Sequence, residues 1–289
     1  MMKPRRSLSI ALFFAASTLL ALSAWSQTAE SQEEHFSRTF TVNAGSTLVV
    51  DNFKGTIHVT GSDIKQIAVK VDKVFEGSDS DRKWWMANTR VNFENDPSRV
   101  RVAVQYPNSS CFLGCGDGIQ SDYTAAVELT IQVPKHTNLN LSGHKPDVKI
   151  SAVEGDLRIH SYKSPINVES TTGSIDIKTY KESVHLRDVS IRGPLRLTMY
   201  KGEATLAAKS LGDEVNVETE KGSVVLEVPR TAGLTVHYSG GRRANFHSDL
   251  PITSTAGFRS NELSGTINGG GTHLRLRTEK GSITLESTR

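Results

Sequence analysis

A glycine followed by apolar residues at alternate positions recurs every 9 or 10 residues through the second half of the chain. Copies include Gly155/Leu157/Ile159, Ile166/Val168, Gly173/Ile175/Ile177, Val184/Leu186 and Gly193/Leu195/Leu197. Further copies are Gly202/Ala204/Leu206, Gly212/Val215/Val217, Gly222/Val224/Leu226 and, after a gap, Gly281/Ile283/Leu285. A fixed repeat of this kind constrains the fold before any local signal does. Apolar residues two apart mark a strand with one buried face. The residues between them, among them Arg158, Asn167, Asp176, His185, Arg196 and Asn216, are expected to face water. The glycines fall where the chain must turn.

A slower rhythm sets the coil. The dipeptide Tyr-Lys stands at Tyr162-Lys163, Tyr180-Lys181 and Tyr200-Lys201, with Glu220-Lys221 and Glu279-Lys280 in similar slots and Tyr238 near the next. The steps from 162 to 180, 200, 220 and 238 are 18, 20, 20 and 18 residues. Two pulses thus make one coil of 18–20 residues, and successive coils stack their corners about 4.8 Å apart. A single coil buries too little to stand alone, so only the stack is stable. The pulse around Ala204 is the thinnest part of the expected core.

Residues 1–26 read as a secretory signal, with Lys3, Arg5 and Arg6 ahead of the apolar stretch Leu8 to Leu22. The cut falls before Gln27, with cleavage after Ala24 as the alternative. Residues 27–35 read as a flexible start and 36–289 as one domain. The whole chain has 34 basic and 31 acidic residues. Three basic and no acidic residues lie in the signal, which leaves 31 of each sign, so nucleic acid loses its electrostatic support as a partner. After the signal no segment approaches the ~18 apolar residues of a membrane span.

The two cysteines, Cys111 and Cys115, sit in a Gly- and Ser-rich loop from Pro107 to Ser121. In an exported chain, thiols this close are expected to form a disulfide. The first half reads as short strands and one helix, Asp79 to Asn88, with acidic residues in its first turn. It is expected to cap the solenoid.

Three stretches together resemble a known family. Phe40 to Val59, the strand Leu129 to Lys135 ending in Val133-Pro134, and Leu263 to Leu285 are similar in content and order to the bacterial putative-adhesin domains. Lys145-Pro146-Asp147 and the Tyr-Lys corners depart from the family's usual turns. The resemblance implies a right-handed, β-helix-like solenoid and a location in the cell envelope, periplasmic or at the surface. It carries over no catalytic residue and no cofactor.

The strip Tyr162, Lys163, Tyr180, Lys181, Tyr200 and Lys201 is the main candidate site. One copy per coil makes a linear array suited to a sugar or an anionic envelope polymer, held by ring stacking and charge. The plainer reading has tyrosine covering the edge of the core while lysine keeps the face soluble. Arg242-Arg243 reads as a solvated loop. Trp84-Trp85 reads as core plus cap, or as a docking patch for a partner. His160, His185 and His237 are scattered, so neither metal nor cofactor is expected. The chain is read as a non-catalytic module binding an envelope polymer or protein. The alternative is a glycan-cleaving lyase or hydrolase, whose carboxylates (Asp156, Asp176 and Glu203 are the nearest candidates) would have to converge in a cleft.

Overall fold

The computed structural model describes residues 34–107, 124–254 and 261–288. The first part runs β1 (Glu34–Thr41), β2 (Thr47–Asp51), β3 (Lys54–Ser62), β4 (Gln66–Glu76), helix α1 (Asp79–Asn88), β5 (Arg90–Asp96), β6 (Arg99–Gln105) and β7 (Thr124–Pro134). There follow β8 (Asn138–Gly143), β9 (Lys145–Ser151), β10 (Leu157–Lys163), β11 (Ile166–Glu169), β12 (Thr172–Lys181), β13 (Val184–Ser210) and β14 (Glu214–Val228). The described part closes with β15 (Leu234–Ser248), β16 (Thr253–Ser254), β17 (Glu262–Ile267) and β18 (Thr272–Ser287). The described chain is all-β with α1 as its one helix, as the repeat predicts. The signal region, residues 27–33, and Cys111 and Cys115 lie outside the described residues.

Each pulse is a strand with alternating burial. Leu157 and Ile159 are buried while Arg158 and His160 are exposed, and the pattern repeats at Ile175/Ile177, Leu195/Leu197 and Val215/Val217. The strands stack in parallel, like on like. Leu157 pairs with Ile175, Ile175 with Leu195, and Leu195 with Val215. A second face stacks Val148, Ile166 and Val184 in the same way. Between them the side chains form one continuous apolar column.

Close stacking explains the glycines at one corner. Gly202, Gly222 and Gly281 adopt φ of 140°, 154° and 123°. A Cβ on Gly222 would lie 2.0 Å from the Gly202 carbonyl oxygen, and one on Gly281 1.9 Å from that of Gly222. Only a residue with no side chain lets neighbouring coils approach this closely.

Three expectations need correction. First, the amino-terminal strands are only partly a cap. β2 pairs in parallel with β8 and β3 with β9, so they are a full rung of the stack, and β6 and β7 add another on its outer side. The antiparallel β1, β4 and β5, with α1, are what closes this end. Second, strand begins at Glu34, so Glu34 and His35 are not a flexible start. Antiparallel pairing with β4 holds them, reinforced by Glu34–Lys73 at 3.0 Å and His35–Asp72 at 2.5 Å.

Third, the coil after β14 is not β15. β18 lies between them, pairing with β14 on one side and β15 on the other. Glu220 therefore stacks on Glu279 and not near Tyr238. Tyr238 takes an inward position opposite Leu276 and is buried, because it continues the alternation of Leu234 and Val236. Arg242-Arg243 belongs to β15, at a register shift between Gly240 and Arg243, and is not a loop. The far end is closed by the antiparallel β17 and β16.

α1 begins at Ser78, whose side chain accepts from the Asp81 amide at 3.2 Å, with Asp79 and Asp81 in the first turn. It turns Trp85 into the core and leaves Trp84 45% exposed. Among the described residues no helix is long and apolar enough to cross a membrane.

Candidate aromatic–lysine corner

On each rung of the first face, the strand ends with an inward residue and then turns a corner. The residue at the turn points outward, and stacking places equivalent residues over one another. The result is a column of five rings: Phe53, His144, Tyr162, Tyr180 and Tyr200. Successive centroids lie 4.9, 4.7, 4.7 and 4.5 Å apart, with interplanar angles of 5°, 11°, 7° and 5°. The spacing equals the strand separation, so the ladder itself sets the ring contact. The column is anchored inward. Phe53 meets Tyr106 at 6.0 Å, Tyr106 meets Trp85 at 6.3 Å, and Trp85 meets Phe75 at 5.8 Å.

Tyr106 ties the anchor. Its hydroxyl lies 2.9 Å from Asn52 Oδ1 and 2.5 Å from the Lys54 carbonyl, and it accepts from the Val127 amide at 3.1 Å. Asn52 is fully buried and donates through Nδ2 to the Val127 carbonyl at 2.8 Å. Burial pushes the Tyr106 phenol well above its ordinary value, against the pull of Val127 and Lys54. Within the column, desolvation and then Lys145 and Lys163 push His144 below the usual histidine range, which favours a neutral ring. Desolvation, then Tyr200 and Tyr162, push the Tyr180 phenol up.

A lysine follows every member of the column. Lys54 pairs in register with Lys145, Lys163 with Lys181, and Lys201 with Lys221, which in turn pairs with Lys280. The Lys163 amide bonds the His144 carbonyl at 2.7 Å, which joins the first pair to the second. Thr179 paired with Met199 joins the second to the third. Arg243 pairs with Lys280 at the far end. The basic column thus runs beside the aromatic one over the same rungs. Lys163 and Lys181 place Nζ 5.5 Å from the ring centres of Tyr162 and Tyr180. Tyr200 is covered by Lys221 of the next rung, with Nζ 4.9 Å from the ring centre and 3.0 Å from the hydroxyl, while Lys201 is exposed. The Tyr200 hydroxyl raises the Lys221 pKa. Among the described residues Lys54, Lys145, Lys163, Lys181, Lys201, Lys280 and Arg243 make no ion pair. On the first face, in contrast, several charges are paired: Arg158 with Asp176, Arg196 and Arg275 with Glu214, and Arg277 with Glu218.

The corner flanks an open trough of about 1580 Å³. Two residues back along each strand, the outward row Ser142, His160, Lys178, Thr198, Glu218 and Arg277 lines it in register. Trp85 and Tyr106 line it near the amino-terminal rungs, and Glu220 and Glu279 near the far ones.

The structure brings all six residues of the candidate strip to one corner, and it adds Phe53-Lys54 and His144-Lys145. It also alters the chemistry on offer. Each ring face within the column is occupied by its neighbour, and Lys221 holds the hydroxyl edge of Tyr200. A ligand alongside meets ring edges, phenol hydroxyls and ammonium groups, so face stacking of sugars on these tyrosines is not available. The other candidates remain dispersed. His160 lines the trough, His185 lies on the second face, and His237 Nδ1 is 3.1 Å from Ser264 Oγ. Asp156 is taken up by Ser174, with its amide at 3.2 Å and its hydroxyl at 2.5 Å, and Glu203 sits in register with Ser223. Among the described residues no three His, Cys, Asp or Glu side chains gather closely enough to hold a metal ion.

Three solved structures are similar to this chain. A putative cell adhesion protein from Clostridium sporogenes is 12% identical, covering 88% of this chain and 100% of its own, with a TM-score of 0.39. A putative adhesin from Bacteroides fragilis is 12% identical over 88% of this chain and 97% of its own, with a TM-score of 0.40. One from Parabacteroides merdae is 10% identical over 89% and 97%, with a TM-score of 0.39. No curated protein matches the chain. The model of the Toastrack family, DUF4097, matches residues 137–286, from β8 to near the end of β18. More than half of the chain, including most of the aromatic–lysine corner, lies in that match, and the chain belongs to the Toastrack family.

Proposed function

We propose that this is an exported, non-catalytic envelope module that holds an anionic polymer along the aromatic–lysine corner. The observation that carries the reading is the column of lysines that have no ion-pair partner among the described residues, beside an open trough. Clustered like charges destabilise a fold unless something else is gained, and a linear polyanion supplies the missing counter-charge. The signal-like residues 1–26 support export, to the periplasm or the cell surface. Offsets of 18 residues from Leu157 to Ile175 and 20 from Ile175 to Leu195 support the coil length. The family resemblance supports right-handed winding. The disulfide between Cys111 and Cys115 belongs to the same reading, since it needs an oxidising compartment.

The test replaces Lys163, Lys181 and Lys201 by Gln together. Exposed charges stabilise a fold little, so the melting temperature should stay within a few degrees of the parent. Retention on isolated envelope material should fall, and its dependence on salt should become shallower. Equal retention of parent and variant at every salt concentration would reduce the corner to a solvated face.

The rival reading, a glycan-cleaving enzyme, has one observation in its favour: Glu218, Glu220 and Glu279 line the same trough. Each is already engaged by a cation, Glu218 and Glu279 by Arg277 and Glu220 by Lys221. Release of new reducing ends from envelope polysaccharide, abolished by Glu279→Gln, would favour the enzyme.

A further inference from the structure

A repeating surface selects ligands by its spacing. The lysines at this corner recur once per rung, about 4.8 Å apart. The run from Lys54 through Lys145, Lys163 and Lys181 to Lys201, without ion pairs among the described residues, covers four such steps, about 19 Å. Beyond Lys201 the pattern changes. The corner residue becomes Glu220 and then Glu279, and Lys221 turns to Tyr200 and Glu220. The run in which a ring and a lysine stand together therefore covers five rungs, while the basic column continues through Lys221, Lys280 and Arg243 beside Glu220 and Glu279.

Two features bear on what kind of polyanion fits. Single-stranded nucleic acids bind through exposed aromatic faces on which bases stack. Here the inner faces of the column are taken by neighbouring rings, and Lys221 bonds the Tyr200 hydroxyl at its end. The corner instead presents phenol hydroxyls, and the row beside it presents Ser142, His160 and Thr198. Those are hydrogen-bonding partners for a polyhydroxylated chain. A sugar ring in a linear polysaccharide also advances by about one strand spacing, so one charge per sugar would meet one lysine per rung.

We infer that the occupant of the corner is a linear acidic polysaccharide with one carboxylate per sugar, lying parallel to the stack with successive carboxylates against Lys54, Lys145, Lys163, Lys181 and Lys201. The inference rests on the reading of the corner as a polymer-binding strip and narrows it to one chemical class. The sugar hydroxyls face the trough. The carboxylates replace the missing counter-ions of the lysine column. Beyond the fifth lysine Glu220 and Glu279 take the place of the rings, so the continuing cations Lys221, Lys280 and Arg243 offer a weaker hold.

The test titrates the full chain with polygalacturonate, with the same polymer fully methyl-esterified, and with single-stranded poly(dT) at equal charge. Polygalacturonate is expected to bind at least tenfold more tightly than either. Galacturonate oligomers of increasing length should gain affinity steeply up to about five units and less per unit beyond, where Glu220 and Glu279 replace the rings. Replacing Lys163, Lys181 and Lys201 by Gln should weaken polygalacturonate by roughly ten- to a hundredfold, at a few-fold per exposed pair. If the esterified polymer binds as well, recognition of carboxylates is overturned. If poly(dT) binds as tightly as polygalacturonate, the sugar class is overturned while the polyanion reading stands. If polygalacturonate does not bind, the inference is overturned, and inorganic polyphosphate then separates the two: its binding leaves the polyanion reading in place, and its failure ends both.

Discussion

Tyr106 holds the inner end of the ring column, and its single hydroxyl serves three partners, one in the turn between β2 and β3, one in β3 and one in β7. Replacing it by Phe removes no apolar contact but leaves the Val127 amide and Asn52 Oδ1 without that partner. The cost should be about 1–3 kcal/mol of unfolding free energy, read as a shift in the urea midpoint. Its phenol also makes a pH prediction. Burial raises the folded-state pKa above the unfolded value of about 10. The neutral form is therefore the one the fold favours, and the stability it contributes is fully present below about pH 10. It is lost as pH rises from there toward the folded value. Tyr106→Phe should flatten the loss of stability measured between neutral pH and strongly alkaline solution; an unchanged slope would assign that loss to other groups. The column that Tyr106 anchors was partly legible in the chain. The three Tyr-Lys pairs stand out by their even spacing. Phe53-Lys54 and His144-Lys145 escaped, because the first lies 91 residues before the second and neither contains a tyrosine. A signal existed: Lys54-Gly55, Lys201-Gly202, Lys221-Gly222 and Lys280-Gly281 are the same corner, with glycine wherever the next coil presses its carbonyl against the turn.

The helix α1 separates two adjacent tryptophans by the geometry of a 3.6-residue turn. Trp85 packs against Phe75 and Tyr106 at 2% exposure, while Trp84 stands out at 45%. Trp85→Ala should cost about 3–5 kcal/mol and Trp84→Ala almost nothing, both measured by chemical denaturation. A large effect at Trp84 would mean that it is covered in solution. The helix's limits were readable from Ser78, Asp79 and Asp81, whose chemistry is local. The strands were readable for the same reason: alternation declares a buried face wherever the strand ends up. Which strand lies beside which was much less readable. Pairing is decided by where the chain returns after a turn, and Gly222 fits against Gly281 as well as against any glycine twenty residues on. Tyr238 was misassigned on spacing alone; its parity with Leu234 and Val236 was the better guide.

Both ends of the stack contain a rung inserted between rungs that are not its neighbours in sequence. β2 and β3 lie between the β6–β7 and β8–β9 rungs, and β18 lies between β14 and β15. In an ordinary solenoid the terminal unit can be removed at the cost of one interface. Here, loss of residues 272–289 would strip two interfaces at once and expose the edges of both β14 and β15. A chain so shortened should lose cooperative unfolding, become protease-sensitive across 229–267 and associate through its open edges on a sizing column. A monomer that still unfolds in one step would show that β14 and β15 can close on each other directly. The insertion also imposes a timetable. At ~5–20 residues per second, β15 leaves the ribosome roughly 2–8 s before β18 is complete. During that interval β14 has an empty side and β15 has no parallel neighbour. The molecule is thus assembled around a vacancy that β18, made after both of its neighbours, must find, and whatever guards the growing chain has to keep that slot open.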